Sequence, residues 1–546
     1  MINFRRVYTS IAIIIAFIGL RAAALGQIYH QDEYKWAQIV DHAYGLQGTI
    51  PHPPLGETLY HIWGLAFGYG ALRGLPFLIS ILNLILLATL VYRQWGEKRM
   101  IAVIGMLTIS LANIIASVQV DIDGSLLIFW TILTWIAYTL WVDERKHFGK
   151  WLMLVSLIGG LLCKISYILV IVALLAPKIL KQRRRLSKKW ILAGIVFCLV
   201  GIIFWCSSWI DYINFVQYAK GFGVGNLQTR SFSQLFLLNT KVLVLLGPAC
   251  ILALYGIIKN PKRYQREMWY SIMQILFYDV VFDFTHRTID RYLLVLCIPV
   301  SLVAGDVLME WLEAVPYKSV YKKILPVTFG IIFTAVLAIP KDILPLHPKN
   351  AFIERFFSGD LRFLIPISSG SGPIGFFVPA DVITFSMFAV VVATLFTLRH
   401  PMRRQIMVPL VSIIIVLYGL TFGIEYAQGP LYGNASRIAK KALKFIQNDA
   451  EIKNVITYND IGGWELGEMK KYYKRFYLNP EFLGSTERRF ASFQGHYLVV
   501  GMPPISRETK QAKYLETCKN IHQETSGYIN ATVYDCRGIP YPTEKK

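Results

Sequence analysis

"YHQDEYKWAQIVDHAYGLQGTIPHPPLGETLY", residues 29–60, follows directly on an apolar run that begins at Val7. It holds Asp32, Glu33, Asp41 and Glu57, histidines at 30, 42 and 52, and the step Pro53-Pro54. So much titratable chemistry behind a membrane-length run marks either the mouth of a functional site or a solvated connecting loop. The remaining sequence decides between them.

Composition places the chain in a membrane. Of 546 residues 55% are hydrophobic and only 16% charged, and the mean hydropathy is +0.46, outside the range of soluble globular proteins. Apolar runs of about 20 residues, enough to cross a ~30 Å hydrocarbon core, recur along most of the length. The run 7–29 lacks a small-residue cleavage site and reads as a retained first span, not a signal peptide. Five cysteines (Cys163, Cys198, Cys206, Cys250, Cys297) lie in apolar segments as small core residues. Cys518 and Cys536 lie in a polar tail, where pairing and free thiols both remain open.

The formal charge of +22 is explained by topology once its distribution is read. Spans are expected at roughly 7–29, 75–92, 100–119, 124–142, 151–163, 166–177, 190–210, 236–258, 269–284, 292–311, 324–340, 376–398 and 406–424. One set of connections is short and basic: Arg5-Arg6, "RQWGEKR", "DERKHFGK", "KILKQRRRLSKK", "KNPKRYQRE", "YKSVYKK" and "RHPMRR". Cytoplasmic loops have that character. The alternate set holds residues 30–74, "QVDID", Lys164, "DYINFVQYAKGFGVGNLQTRSFSQ", "DFTHRTIDR", segment 341–375 and the tail. The alternation runs through thirteen spans, and a nucleic-acid partner is excluded as the reason for the charge. Residues 56–72 are too polar and glycine-rich for a span and read as an aromatic helix in the interface.

The fold class expected is thus an α-helical polytopic membrane protein of about 13 transmembrane helices. Residues 1–424 form the membrane domain, and 425–546 form a small extracytoplasmic α/β domain. In the tail "NASRIAKKALKFIQNDAEIKN" and "SRETKQAKYLETCKNI" read as helices, and "NVITYND", "HYLVVGM" and "NATVYDC" as strands.

The dense polar chemistry falls on one side of the membrane and comes from distant places. Asp32-Glu33 and His52 lie in the first loop, Asp121 and Asp123 at the mouth between two spans, and Lys164, His286, Arg287 and Arg291 further on. Each has a plain structural alternative. Asp32 and Asp123 stand where helix N-caps belong, His52 before two prolines suits a rigid turn, and Lys164 and Arg291 can snorkel to headgroups. Their common side and type make the case for carboxylates that take a proton beside cations that hold an anionic lipid phosphate.

"DEYKWAQ" (32–38) followed by "HPPLGETLYHIWGLAFGYGALRGLPFLISIL" (52–82) resembles the first extracytoplasmic loop of the protein mannosyltransferase / aminoarabinose transferase group of GT-C glycosyltransferases. The group's Arg-x-Leu-Pro element is matched at Arg73, with Gly74 before Leu75. "VDIDGSLLIFW" resembles its Asp-x-Leu-Leu-x-Phe step, with Asp123 as the acid, and "GGLLCKISYILV" its Gly-Leu-x-x-x-Lys segment. "DRYLLVLCIPVSL" resembles its Arg-Tyr-Leu-Leu-Pro segment, with Val295 where proline is usual. The resemblance covers about residues 10–310 and says little of the acceptor.

The resemblance implies an enzyme that transfers a sugar, with inversion, from a polyprenyl-phosphate donor to a hydroxyl acceptor on protein, lipid or glycan, outside the cytoplasm. Asp32 is the expected general base, with Glu33 orienting the acceptor or sharing the proton. Lys164, Arg291 and Arg73 are expected to bind the donor phosphate, and His52, Asp123 and His286 to position substrate. No cofactor is firmly implied; a divalent metal held by His52 and His286 is left open, although their spacing carries no metal signature. Two readings from other classes stand beside this one. A secondary transporter or lipid flippase would bury its ionisable residues near the midplane and show repeat symmetry. A non-catalytic sensor or assembly subunit would place its function in the tail.

Overall fold

The structure, a computed structural model, describes residues 4–30, 32–41, 53–182, 232–281, 290–314, 351–367, 375–399, 404–478 and 483–542. The chain is mostly helical. α1 (Phe4–Leu25) leads into a loop region carrying α2 (Asp32–Asp41) and α3 (Pro54–Phe67). Proline at the start of α3 suits a helix N-terminus, where its missing N–H would lack a partner anyway. α3 exposes Ile62, Leu65 and Phe67, an apolar face of the kind expected of the segment 56–72.

The helical body continues through α4 (Gly74–Trp95), α5 (Glu97–Ile109), α6 (Leu111–Ala116), α7 (Ser125–Tyr138), α8 (His147–Cys163) and α9 (Ile168–Gln182). After them come α10 (Phe232–Leu246), α11 (Ala249–Lys259), α12 (Gln265–Leu276), α13 (Cys297–Glu313) and α14 (Ala351–Phe357). Strands β1 (Leu364–Ile367) and β2 (Phe376–Pro379) form an antiparallel pair, followed by α15 (Ala380–Arg399) and α16 (Arg404–Gln428).

Among the described residues, five helical segments are long and apolar enough to cross a membrane: Tyr69–Trp95, Ser125–Asp143, Arg291–Glu313, Ala380–Leu398 and Gln405–Gln428. A bent pair, Gln234–Leu246 with Ala249–Lys259, makes a sixth if it counts as one span. The protein is therefore an integral membrane protein. The spans expected at 190–210 and 324–340 lie outside the described residues.

Three departures from the sequence reading have local causes. The segment 236–258, expected as one helix, bends by 96°. Gly247 takes a left-handed φ of 67° there, and Pro248 supplies no N–H to continue the ladder. The segment 100–119 breaks at Ser110, whose backbone is extended; Asn113 Nδ2 donates to the carbonyl of Leu107 across the gap at 3.2 Å. The segment 376–398 opens as the buried strand β2 before turning helical. The break expected at Lys164 is present: φ −156° and ψ 137° separate α8 from the short turn Ile165–Tyr167.

At the end of the bundle away from α2, Asp306 is wholly buried. Its carboxylate meets Arg99 Nε at 2.6 Å, Arg263 Nη2 at 2.5 Å and the Tyr264 hydroxyl at 2.6 Å. Residues of two basic loops are thereby tied to α13.

The C-terminal part is a small α/β domain. α17 (Ala435–Asn448) is capped by Asn434, whose side chain accepts from the Arg437 N–H. It buries Ile438, Ala439, Ala442, Leu443 and Ile446, the face that its helical spacing announces. β3 (Asn454–Tyr458), α18 (Gly463–Glu468), β4 (Tyr472–Phe476), α19 (Leu483–Ser492), β5 (His496–Val500), α20 (Lys510–Thr517), β6 (Lys519–Ser526) and β7 (Ile529–Asp535) follow. The sheet order is β4-β3-β5-β7-β6, with β3 parallel to β4 and β5 and the remaining pairs antiparallel. Residues 519–521, expected at the end of a helix, are strand because β6 finds β7 as a partner. Cys518 and Cys536 form a disulfide between the start of β6 and the end of β7. One continuous apolar cluster runs from Phe17 of α1 through Tyr426 and Ile438 to Val533 of β7, so helices and sheet share a core.

Candidate active site

Asp32 and Glu33 are neighbours in sequence and divide their tasks in space. Both sit in the first turn of α2, where the helix N-terminus favours negative charge. Glu33 is wholly buried. Its carboxylate accepts from Arg73 Nε at 3.2 Å and Nη2 at 2.5 Å and from the backbone N–H of Val120 at 3.0 Å. Burial pushes this carboxyl above its usual range, against the pull of Arg73.

Arg73 is fully engaged from the other side. Nη1 donates to the carbonyls of Ala24 and Gln27 at 3.3 and 2.6 Å, and Nη2 to that of Ile28 at 2.9 Å. A cation is thereby set on the last carbonyls of α1 and just beyond them, where the helix dipole favours it. Every guanidinium nitrogen of Arg73 has a protein partner, which leaves no donor directed at a ligand. Glu33 and Arg73 together pin α1, α2, the start of α4 and the 118–123 loop.

Asp32 faces the other way. Arg291 Nη1 donates to its Oδ2 at 2.5 Å, with the Asp32 side chain 24% exposed. Arg291 also approaches Asp121 at 3.7 Å and Asp123 at 3.9 Å through Nε. Lys164, presented by the break between α8 and the turn after it, forms an ion pair with Asp123. Asp121 holds its own loop, accepting from the N–H groups of Ile122 at 2.6 Å and Asp123 at 3.3 Å. Tyr60 clamps the same loop, donating to the Asp121 carbonyl at 3.0 Å. Gly124 lets the loop close onto α6, since a Cβ there would meet the Ala116 carbonyl oxygen at 2.6 Å.

Two tyrosines line the cations. The Tyr292 ring lies 4.3 Å from Lys164 Nζ and 4.8 Å from Arg291 Cζ, a placement that cation–π attraction favours. Tyr278 stacks on Tyr292 with centroids 5.1 Å apart. It belongs to a π-turn, Phe277–Val281, a local widening common at functional sites.

With all five groups ionised, the cluster holds three carboxylates (Asp32, Asp121, Asp123) against two cations (Lys164, Arg291), a net charge of −1. Asp32 is the most exposed of the three carboxylates, whereas Asp121 and Asp123 are almost wholly buried.

The structure thus brings together Asp32, Asp123, Lys164 and Arg291 from the sequence expectation and sets Glu33 and Arg73 behind them as a buried brace. His52 and His286 lie outside the described residues. Among the described residues no group of three or more His, Cys, Asp or Glu side chains is arranged to hold a metal. Sequence reasoning left out Asp121 as a site residue, although it had been noted at the mouth, and it missed Tyr60, Tyr278 and Tyr292. Tyr292 stands in the quoted "DRYLL" element beside Arg291. Tyr278 carries no sequence signal, since the π-turn that presents it is a tertiary feature.

Comparison with known proteins agrees with this architecture. Residues 52–207 match the model of the family described as dolichyl-phosphate-mannose-protein mannosyltransferase. The structure of ArnT from Cupriavidus metallidurans in the apo state superposes with a TM-score of 0.52 at 12% identity, covering 98% of this chain and 99% of that one. ArnT from the same organism bound to undecaprenyl phosphate gives 0.51 at 13% identity, covering 100% of both chains. A sequence search of curated proteins finds no match. The fold is that of the ArnT structures. The chain shares it with ArnT along its whole length and resembles the protein mannosyltransferase family in sequence over residues 52–207.

Proposed function

We propose that this protein is a membrane glycosyltransferase that moves a sugar from a polyprenyl-phosphate carrier to a hydroxyl acceptor, with inversion, on the extracytoplasmic face. The observation that carries this reading is the ion pair of Asp32 with Arg291, inside a cluster that also holds Asp123 and Lys164. The ArnT structure holding undecaprenyl phosphate supports a lipid-phosphate donor for a chain of the same fold. Loop charge supports thirteen spans, with residues 1–424 in the membrane domain, 425–546 outside the cytoplasm, and the site at that outer face.

The donor phosphate takes Asp32's place on Arg291 and shares Lys164 with Asp123. Asp32 is then a carboxylate released from Arg291 at the reaction centre. As the acceptor oxygen bonds to the anomeric carbon, Asp32 removes its proton, and the bond from carbon to phosphate oxygen breaks with its electron pair on the phosphate. The leaving group is a stable phosphate monoester, so no general acid is required. Arg291 and Lys164 stabilise its growing charge in a site with little water. Donor binding thus activates the base, and the order of addition is donor first. Glu33 and Arg73 act as positioning residues for Asp32 and the 118–123 loop.

The test uses the purified chain, a panel of polyprenyl-phosphate pentoses and hexoses, and lipid, glycan and protein acceptors. Transfer with inverted anomeric configuration is expected; absence of transfer from every donor overturns the reading. Sidedness is read separately with an impermeant maleimide. A cysteine at Arg507 should label in intact cells and one at Lys262 should not.

A further inference from the structure

The C-terminal domain has a ligand edge of its own, and that edge lies against α2. In open α/β sheets, ligands bind beyond the carboxyl ends of parallel strands, where successive connections leave in opposite directions. Here the chain passes from β3 to β4 on one side and then from β4 to β5 on the other, so that point lies at the carboxyl end of β3. Asn459 and Asp460 stand there with φ of 54° and 60°. Two consecutive left-handed non-glycine residues are costly and persist only where their surroundings hold them.

Asp460 is wholly buried and accepts hydrogen bonds from the hydroxyls of Tyr473 and Tyr477. Arg475 Nη1 approaches the same carboxylate at 3.4 Å. That long contact is the only polar contact of the Arg475 guanidinium among the described residues, and the side chain is 35% exposed. The other N–H donors of its planar fork have no hydrogen-bond partner among the described residues.

Two ring contacts join this edge to the base-bearing loop. Tyr473 meets Tyr34 of α2 edge-on at 5.5 Å, and Trp464 meets Tyr29 at 5.9 Å. Asp32 thus meets Arg291 on the bundle side, and Tyr29 and Tyr34 on either side of it in sequence meet the edge of the C-terminal domain. In an inverting displacement the nucleophile approaches the anomeric carbon opposite the leaving phosphate. With the phosphate on Arg291, the acceptor comes from the domain side.

We propose that the carboxyl edge of the C-terminal sheet is the acceptor subsite, with Arg475 and Tyr477 as its specificity-determining residues and Asp460 as the buried anchor that orients them. The inference rests on the glycosyltransferase reading above. Its chemistry fits a polyhydroxylated acceptor. Neighbouring hydroxyls of a sugar ring accept from the guanidinium fork and donate to the Tyr477 hydroxyl oxygen, whose own proton is directed to Asp460. A glycan or the sugar head of a glycolipid both present these groups; an isolated Ser or Thr hydroxyl on a peptide does not.

The experiment uses the full chain in detergent, the labelled donor that the wild type uses, and three fractions from cells that carry the gene: water-soluble glycans, glycolipids and delipidated protein. Label is expected in the glycan or the glycolipid fraction, and which of the two identifies the source of the acceptor. Arg475→Gln and Tyr477→Phe should each raise the acceptor KM by about tenfold, the worth of one hydrogen bond of roughly 1.4 kcal/mol. Undecaprenyl phosphate should still protect both variants against heat as it protects the wild type, which shows them folded with the donor site intact. Tyr477→Phe keeps the ring and its packing and serves if Arg475→Gln fails to fold. Arg475→Lys should recover little, since a single ammonium cannot reproduce the fork. Label in the protein fraction, or acceptor KM unchanged in folded variants, overturns the subsite while the transferase reading stands. A wild type that transfers to no fraction overturns both.

Discussion

Arg291 donates to Asp32 across 2.5 Å, joining residues 259 positions apart. In the proposed reaction the pair brings the proton acceptor and a phosphate-binding cation into direct contact and makes their roles interdependent.

Asp32→Asn keeps the shape of the side chain and removes its capacity to take a proton. The transfer rate should fall by ~10²–10⁴-fold, while undecaprenyl phosphate should bind at least as tightly as to the wild type, since no carboxylate then competes for Arg291. If Asp32 served only to cap α2, the variant would be nearly as active as the wild type, because asparagine caps as well as aspartate. Steady-state turnover of the purified variant separates the two.

Arg291→Ala and Lys164→Ala should weaken donor binding by ~10- to 100-fold each, the range for hydrogen bonds to charged groups, without loss of membrane insertion. Lys164→Arg should keep part of the affinity, since charge more than geometry is asked of it. Titration with undecaprenyl phosphate measures the effect. Wild-type affinity in both alanine variants would make these residues structural anchors.

Glu33 and Arg73 predict a different phenotype. Arg73→Ala leaves the Glu33 carboxylate buried without its partner, which costs about 3–5 kcal/mol. The variant should unfold at lower temperature and accumulate poorly. Glu33→Gln keeps an acceptor for Arg73 and should be milder. A folded, stable Arg73→Ala protein with selectively weakened donor binding would return Arg73 to the phosphate site.

Glu465 lies in α18, beside the Trp464 contact with Tyr29. Burial pushes its carboxyl up to about 7. The folded protein therefore holds a proton that the unfolded chain releases near the ordinary glutamate value of ~4.3. Between those values the folded state binds more protons, so stability should fall as pH rises through the window and level off above about 7. Glu465→Gln should flatten that slope. Thermal unfolding of both proteins from pH 4.5 to pH 8 provides the check.

Much of this was legible in the chain. The alternation of basic and mixed loops, the break at Lys164, the amphipathic face of residues 438–446 and three of the sheet strands follow from local pattern. Asp32, Asp123, Lys164 and Arg291 were chosen from residue type, side and motif, and the structure gathers all four. Arg73 shows the limit of that method. Its motif marks it as important, but its task depends on the carbonyls of Ala24, Gln27 and Ile28, which no spacing reveals.

By itself the sequence determined that this is a membrane protein, because hydrophobic length is a local quantity that acts residue by residue. Only the tertiary structure decided which carboxylate meets which cation. It paired Glu33 with Arg73 and left Asp32 to Arg291, and it set the carboxyl edge of a distant sheet over both. The physical reason is that ion pairing and edge docking depend on where helices break and how the broken ends pack, as at Ser110, Lys164 and Gly247-Pro248. Those geometries are settled by contacts between segments hundreds of residues apart.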